Sequence, residues 1–273
     1  MGSLEPFFKR VAIVGFGLIG GSIARAASRR WPTILIVPIE PQAAAGLAAV
    51  AGADLVVLAA PVLANISLLA ELPAHVSPST IVTDTGSTKR ATIAAAQRVP
   101  SVAFIGGHPM AGSERSGRAH ARADLFDGRP WLLVHGSADA GAEQRLERFV
   151  AGLGAIPLWL DATTHDRVIA YVSHVPQVLA VALMDAAADR IGMSGLRASG
   201  RAFAEMTRLA SSPADLWEDI LATNADFIGD ALDEIVRRFP TSADLNERTW
   251  VRDIFRRAAA ARAGQAGGPT SNE

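Results

Sequence analysis

The chain has 273 residues, 49% hydrophobic and 19% charged, enough apolar material for a sizeable core in one or two domains. Its net charge of -1 leaves no basic footprint for nucleic acid, and the lack of cysteine excludes disulfides, thiolate metal sites and a cysteine nucleophile. No run of about 20 apolar residues is free of charges and helix breakers, and residues 1–10 do not read as a signal peptide; the expectation is a soluble, cytoplasmic protein that engages neither membrane nor nucleic acid.

Up to about residue 160, short apolar runs alternate with alanine-rich helical patterns, which predicts a parallel sheet with crossover helices. The predicted strands are 11–14, 34–37, 55–59, 81–82, 102–105, 131–134 and 156–160. Most are continuous apolar stretches, the pattern of strands covered on both faces. Beyond residue 163 helical periodicity takes over: Val168, Val172, Val175, Leu179 and Leu183 mark one face of a helix. Ser212-Pro213-Ala214-Asp215 then supplies a helix start, with a capping serine, a proline in the first turn and an acid near the dipole. Leu216, Ile220, Phe227, Leu232, Ile235 and Phe239 form the apolar stripe of that helix before Pro240. The tail 263–273, rich in Gly, Ser and Pro, is expected to be disordered.

Gly15-Phe16-Gly17-Leu18-Ile19-Gly20 follows the first predicted strand and opens a helix over 22–29. The first glycine permits a tight turn, the second lets a pyrophosphate approach the backbone, and the third allows close helix–strand packing. The free N–H groups of the helix start face the phosphates. Glu40, twenty residues beyond Gly20, ends the second strand, where an acid can bind ribose hydroxyls, and Pro41 and Gln42 after it offer no arginine to a 2′-phosphate. The expected cofactor set is Gly15, Gly17, Leu18, Ile19, Gly20, Glu40 and Pro61, with NAD preferred to NADP. A structural turn beside a solvated glutamate is the alternative. The predicted fold class is an α/β Rossmann-type dinucleotide-binding domain over 1–160, followed by an all-α domain over 161–262.

The segment Gly106-Gly107-His108-Pro109-Met110-Ala111-Gly112-Ser113-Glu114 is expected to leave the strand 102–105 as a loop, because Pro109 and its glycines oppose a central strand. Ligands of α/β sheets gather at such strand ends. A histidine there titrates near neutrality, as a general base should, although a lone loop histidine is more often plain polar surface.

Six pieces in this order, Gly15–Ser22, Asp84-Thr85-Gly86-Ser87-Thr88-Lys89, 106–117, His165-Asp166, Ser173-His174-Val175-Pro176 and Glu205-Met206-Thr207-Arg208, resemble the prephenate/arogenate (cyclohexadienyl) dehydrogenases of tyrosine biosynthesis. The match runs from about Val11 to Phe239. The resemblance implies NAD-dependent oxidative decarboxylation of a cyclohexadienol and makes the all-α domain a substrate and dimerisation domain. It implies that His108 takes the ring-hydroxyl proton and that Ser87 binds the same hydroxyl; Ser87 also reads as a helix N-cap. It gives Arg208 the role of holding a substrate carboxylate through its planar fork, with Glu114 near the pocket mouth.

The same resemblance sends Glu205 and Trp217 into the pocket of a partner subunit, implying a homodimer. Ser173 and Gln177, four apart, share a helix face, and Pro176 between them should kink the helix. Many family members carry a histidine where Gln177 stands, at a site facing the substrate side chain; a neutral amide tilts the choice toward arogenate. The connection from Glu40 to Asp54 is shorter than the family's usual one, leaving sheet detail open there. No metal site and no appended regulatory module are expected. The competing readings are a 4-amino-4-deoxyprephenate dehydrogenase and a non-catalytic NAD-binding sensor. A β-hydroxyacid dehydrogenase would need a lysine in the helical half, and none follows Lys89.

Overall fold

Seven apolar segments assemble one sheet: β1 Arg10–Val14, β2 Leu35–Ile39, β3 Leu55–Leu58, β4 Ile81–Asp84, β5 Ala103–Pro109, β6 Pro130–Val134 and β7 Ile156–Leu160, in the order β2-β1-β3-β4-β5-β6-β7. The computed structural model describes residues 6–40, 46–112 and 117–266. All seven expected strands are present. Successive side chains of a strand point to opposite faces, so each central strand feeds two cores. Val11, Ile13, Leu55, Val57 and Ile105 pack with Ile23, Ala27, Leu146 and Phe149 of helices α1 (Leu18–Arg30) and α4 (Ala140–Gly152). Ala12, Val14, Val56, Leu58 and Phe104 pack on the other face with Leu69 of α2 (Val62–Glu71) and with Ala95 and Ala96 of α3 (Arg90–Gln97). The edge strands β2 and β7 are only partly covered.

Two expectations about the sheet fail. It is not wholly parallel, because β6 runs antiparallel to β5. Nor does β5 end at Ile105. Its first half pairs with β4 through Ala103–Ile105, and its second half, Gly106 to Pro109, pairs with β6 through Trp131–Val134. Pro109 closes the strand, where the missing N–H interrupts no further ladder. Glycine is needed at 107 for another reason: a Cβ there would stand 2.5 Å from the Asp84 carbonyl oxygen. Between Glu40 and Asp54, the described residues hold one 3₁₀ turn, Gly46–Val50, and no strand.

By its backbone packing the chain divides into a unit ending at Gly229 and a unit from Asp230. The first unit continues after the sheet with α5 (Ala162–Ile169), a π-helical turn Ala170–His174, α6 (Val175–Leu196), α7 (Arg201–Thr207) and α8 (Ala214–Thr223). Pro176 bends nothing sharply; the chain absorbs it through the wider π turn just before it, which tolerates the absent N–H. Widening shifts the register, so Val168, Val172 and Leu183 of the expected apolar face are exposed, while His165, Asp166, His174, Val175 and Gln177 are buried. By length and composition alone, the helical run Ala162–Leu196 passes as membrane-crossing, against the expectation of none. Its buried polar side chains are groups that a lipid core would leave unsatisfied unless other helices covered them.

The single helix expected from Ser212 to Phe239 is two. Its start is capped at Pro213 with no side-chain bond from Ser212. It breaks at Asn224 before α9 (Ala225–Val236), because Asn224 turns its amide inward. In the second unit, Thr241 and Asp244 form a capping box opening α10 (Ser242–Asn246), and α11 spans Arg248–Ala266. The helix thus runs four residues into the tail expected to be disordered, since the alanine-rich run before it favours helix through Ala266; residues 267–273 lie outside the description.

Candidate active site

The turn after β1 follows the physical logic of its glycines. Gly15 has φ +93°, and a Cβ there would meet the Ala59 backbone at 2.7 Å. A Cβ on Gly20 would come 2.2 Å from the Gly15 carbonyl oxygen, so α1 packs tightly on the strand. At Gly17, by contrast, a Cβ would find nothing within 4 Å. The N-terminus of α1, starting at Leu18, therefore opens onto free space with its unpaired N–H groups, which suits a pyrophosphate.

Two adjoining cavities flank this turn. One, of about 580 Å³, is lined by Gly15, Gly17, Pro61 and the exposed Glu40, among others. The other, of about 470 Å³, brings Gly17, Leu18, Ile19 and Pro61 together with Ser87, His108, Ser173 and Trp217. They share Gly17, Ala59, Ala60 and Pro61, so one extended ligand can run from Glu40 to His108. The donors, the opening at Gly17 and the acid at the far end fit a dinucleotide.

Ser87 stands in the turn between β4 and α3, and the fully buried Asp84 ties that turn to β5. Asp84 Oδ1 accepts the Gly107 N–H at 3.1 Å, and Oδ2 accepts the Gly86 N–H at 2.8 Å and pairs with the Lys89 ammonium. Burial lowers the Lys89 pKa, although Asp84 draws it back up. Ser87 is not the helix cap, a role the sequence also allowed. The Lys89 and Arg90 N–H groups at the start of α3 are instead taken by the Asp166 carboxylate from α5, at 2.7 and 3.0 Å.

His108, 7% exposed, projects from β5 into the second cavity. Its Nδ1 lies 3.0 Å from His165 Nε2, and His165 Nδ1 lies 2.8 Å from Asp166 Oδ1. Burial, and then the neighbouring His165, Lys89 and His174, push His108 well below the ordinary histidine value of about 6.5, not to neutrality as expected. Burial also lowers His165. Burial would raise Asp166, but the bonds from His165, Arg90 and Lys89 outweigh it and keep its carboxyl below the usual range. Asn224 closes the cluster, donating to the Asp166 carbonyl at 2.8 Å and to His174 Nδ1 at 3.2 Å.

Other expected site residues are not brought to these cavities. The Gln177 amide donates to the Leu209 carbonyl at 2.8 Å and accepts from the Ser212 hydroxyl at 3.3 Å; it ties α6 to the following turn and faces no substrate position. The tilt toward arogenate that rested on it is withdrawn. Ser173 does line the cavity, because the π turn separates its direction from that of Gln177. Arg208 opens the exposed turn Arg208–Ser211 and is absent from both linings, as is Glu205, which pairs with Arg201 at 2.6 Å on the surface. Trp217 lines the cavity of its own chain, edge-on to His174, rather than that of a partner. Glu114 lies outside the described residues. Asp84, His165, Asp166 and Asn224 were given no role from the sequence; the one available signal was a charged pair, His165-Asp166, inside a helix that is otherwise apolar on that side.

The family model described as the nucleotide-binding domain of prephenate dehydrogenase matches residues 35–156, and that described as its dimerization domain matches 161–248. The chain is 34% identical to the prephenate dehydrogenase of Bacillus subtilis, over 90% of this chain and 72% of that protein. It is 30% identical to the cyclohexadienyl dehydrogenase of Zymomonas mobilis, over 93% and 95% of the two chains. Its fold matches the crystal structure of prephenate dehydrogenase from A. aeolicus in complex with hydroxyphenyl propionate and NAD+, with TM-score 0.84, 25% identity and coverage of 97% and 99%. On these matches the chain belongs to the prephenate dehydrogenase family.

Proposed function

We propose that this chain is an NAD-dependent dehydrogenase that oxidatively decarboxylates prephenate or arogenate. The observation that carries the reading is the single cavity in which His108 and Ser87 meet the open N-terminus of α1, continuous with the cavity that ends at Glu40. Bound along these cavities, NAD supplies the hydride acceptor for the ring carbon that bears the hydroxyl. His108 takes the hydroxyl proton on the ring nitrogen that His165 does not engage, and the Ser87 hydroxyl hydrogen-bonds the same oxygen. The oxidised ring then loses its carboxylate as carbon dioxide and becomes aromatic, which makes the step irreversible. Burial of His108 in a nearly closed pocket excludes competing water. Ser173 and Trp217 are proposed to contact the substrate, and Arg208 to hold one of its carboxylates; for Arg208 the support is the family motif it completes and the anchoring of its turn by Gln177.

Residues to about 160 are read as the cofactor domain and 161–262 as the substrate and dimerisation domain, supported by the two matched family models, which abut between 156 and 161. A homodimer through the helices is supported by the apolar side chains Tyr171, Val172, Val181 and Leu183, exposed along one helical run. A cytoplasmic location belongs to the same reading, since NAD is an intracellular cofactor.

The test is reduction of NAD and of NADP, followed by absorbance, with prephenate, arogenate and 4-amino-4-deoxyprephenate side by side. The expected result is turnover of at least one of the first two, with kcat/KM at least about tenfold higher for NAD, because Glu40 repels a 2′-phosphate. No reduction with either would refute the activity, and equal cofactor values would remove Glu40 from the ribose site.

A further inference from the structure

We propose that His165 and Asp166 are positioning residues that hold His108 in one tautomer, with its hydrogen on Nδ1 and a bare Nε2 toward the cavity. The inference rests on the reading of His108 as the proton acceptor. Its logic starts at the far end of the chain of contacts. An ionised carboxylate only accepts, and Asp166 is held by four donors besides His165: the Lys89 N–H on Oδ1, and the Arg90 N–H and Nε–H on Oδ2, with the Arg90 guanidinium anchored in turn by Asp226 and Asn224. Three of these are direct bonds, and the fourth is the charge of Lys89 behind them.

His165 Nδ1 must therefore carry the hydrogen that meets Asp166 Oδ1 at 2.8 Å. Neutral His165 then has a lone pair on Nε2, and the only way to fill the 3.0 Å contact to His108 is a hydrogen on His108 Nδ1. Nε2 of His108 is left as the basic nitrogen. All three side chains are buried, and His165 and Asp166 are wholly so, which leaves no water to satisfy another arrangement. The titratable and charged groups around His108 are His165 and Asp166 from α5, Lys89 before α3, Asp84 from β4 and His174 from the π turn.

The geometry makes Asp166→Asn informative. An amide NH₂ at the Oδ2 position would oppose two donors of Arg90. At the Oδ1 position it opposes only the Lys89 N–H, and His165 can exchange its hydrogen to accept it. His165 then donates through Nε2, His108 Nδ1 becomes the acceptor, and the hydrogen of His108 moves to Nε2, where the base is needed.

The experiment combines a double-mutant cycle with ¹⁵N NMR of the histidine rings in the full-length protein. Asp166→Asn is expected to lower kcat by roughly 10²- to 10⁴-fold with NAD affinity unchanged, and to add less than about threefold when His108→Asn is already present. The wild-type spectrum is expected to show His108 with a protonated Nδ1 and a bare Nε2, a measurement that decides the matter even if the variant does not fold. A protonated Nε2 in the wild type, or an equal loss from Asp166→Asn in both backgrounds, overturns the positioning role while leaving His108 as the base. Normal turnover in His108→Asn alone instead overturns the reading on which it rests.

Discussion

In the sheet half, residues 10–160, apolar side chains turn inward on both faces and polar ones gather at the strand ends; in the helices from 162 to 229 the arrangement is inverted. There His165, Asp166, His174 and Asn224 are fully buried, while Val172 is 60% and Tyr171 46% exposed. The sheet half completes its own hydrophobic core. The helical part contributes a polar interior to the site and leaves an apolar exterior, which the cost of exposing such a patch to water marks as a contact surface. A pocket that needs oriented imidazoles and carboxylates is thus supplied by the element whose own core is least hydrophobic.

The largest expected effect breaks the site at the sheet. His108→Asn should lower kcat by roughly 10²- to 10⁴-fold while leaving NAD affinity within about twofold, since the cofactor turn lies on other strands; steady-state kinetics and a binding titration check both.

Next comes the helical side. Arg208→Ala should raise the substrate KM by about 30- to 800-fold, the ~2–4 kcal/mol expected when a charge-assisted pair in a closed site loses a partner. An unchanged KM would remove Arg208 from the site and leave the sheet half and the 165–174 cluster as its whole chemistry.

The buried imidazoles also make stability depend on pH. Burial, above all, lowers His174 to about 4. Above pH 6.5 it is neutral whether the chain is folded or not and adds no pH dependence. As pH falls below that value the unfolded chain binds the proton first, so stability drops by ~1.4 kcal/mol per unit, about 3 kcal/mol in all by pH 4. Urea unfolding of the wild type and of His174→Asn at pH 7 and 4.5 should show a steeper acid loss in the wild type; parallel losses would contradict the assignment.

The smallest effect sharpens the contrast between the two surfaces. Val172→Asp should weaken dimerisation at least about tenfold, ~1.4 kcal/mol, whereas Leu35→Asp, on an equally exposed edge strand, should not. Light scattering over a concentration series separates them.

Much of the first half was legible because strand identity is a local matter of apolar runs and glycine turns. The seven strands, the opening at Gly17 and the meeting of Ser87 with His108 could all be anticipated. Pairing direction is not local: nothing in 130–134 announces that it runs against β5, and the same ignorance made a loop of Gly106–Pro109. In the helices, periodicity identified the element but not the buried side. A π turn before Pro176 rotates everything after it, so Gln177 left the face it was expected to share with Ser173. The chain of His108, His165 and Asp166 spans 57 residues between its first two members and could be read only from the folded arrangement.

The most direct test of the central claim, that His108 is a buried base whose proton affinity this pocket lowers, is the pH profile of kcat/KM for the wild type and His108→Asn. Free-enzyme ionisations govern that parameter. The wild type should lose activity on the acid side through an ionisation well below 6.5, because burial, His165 and Lys89 disfavour the imidazolium, and the slow variant should lack that limb. A variant with near-normal turnover and the same acid limb as the wild type would contradict the account.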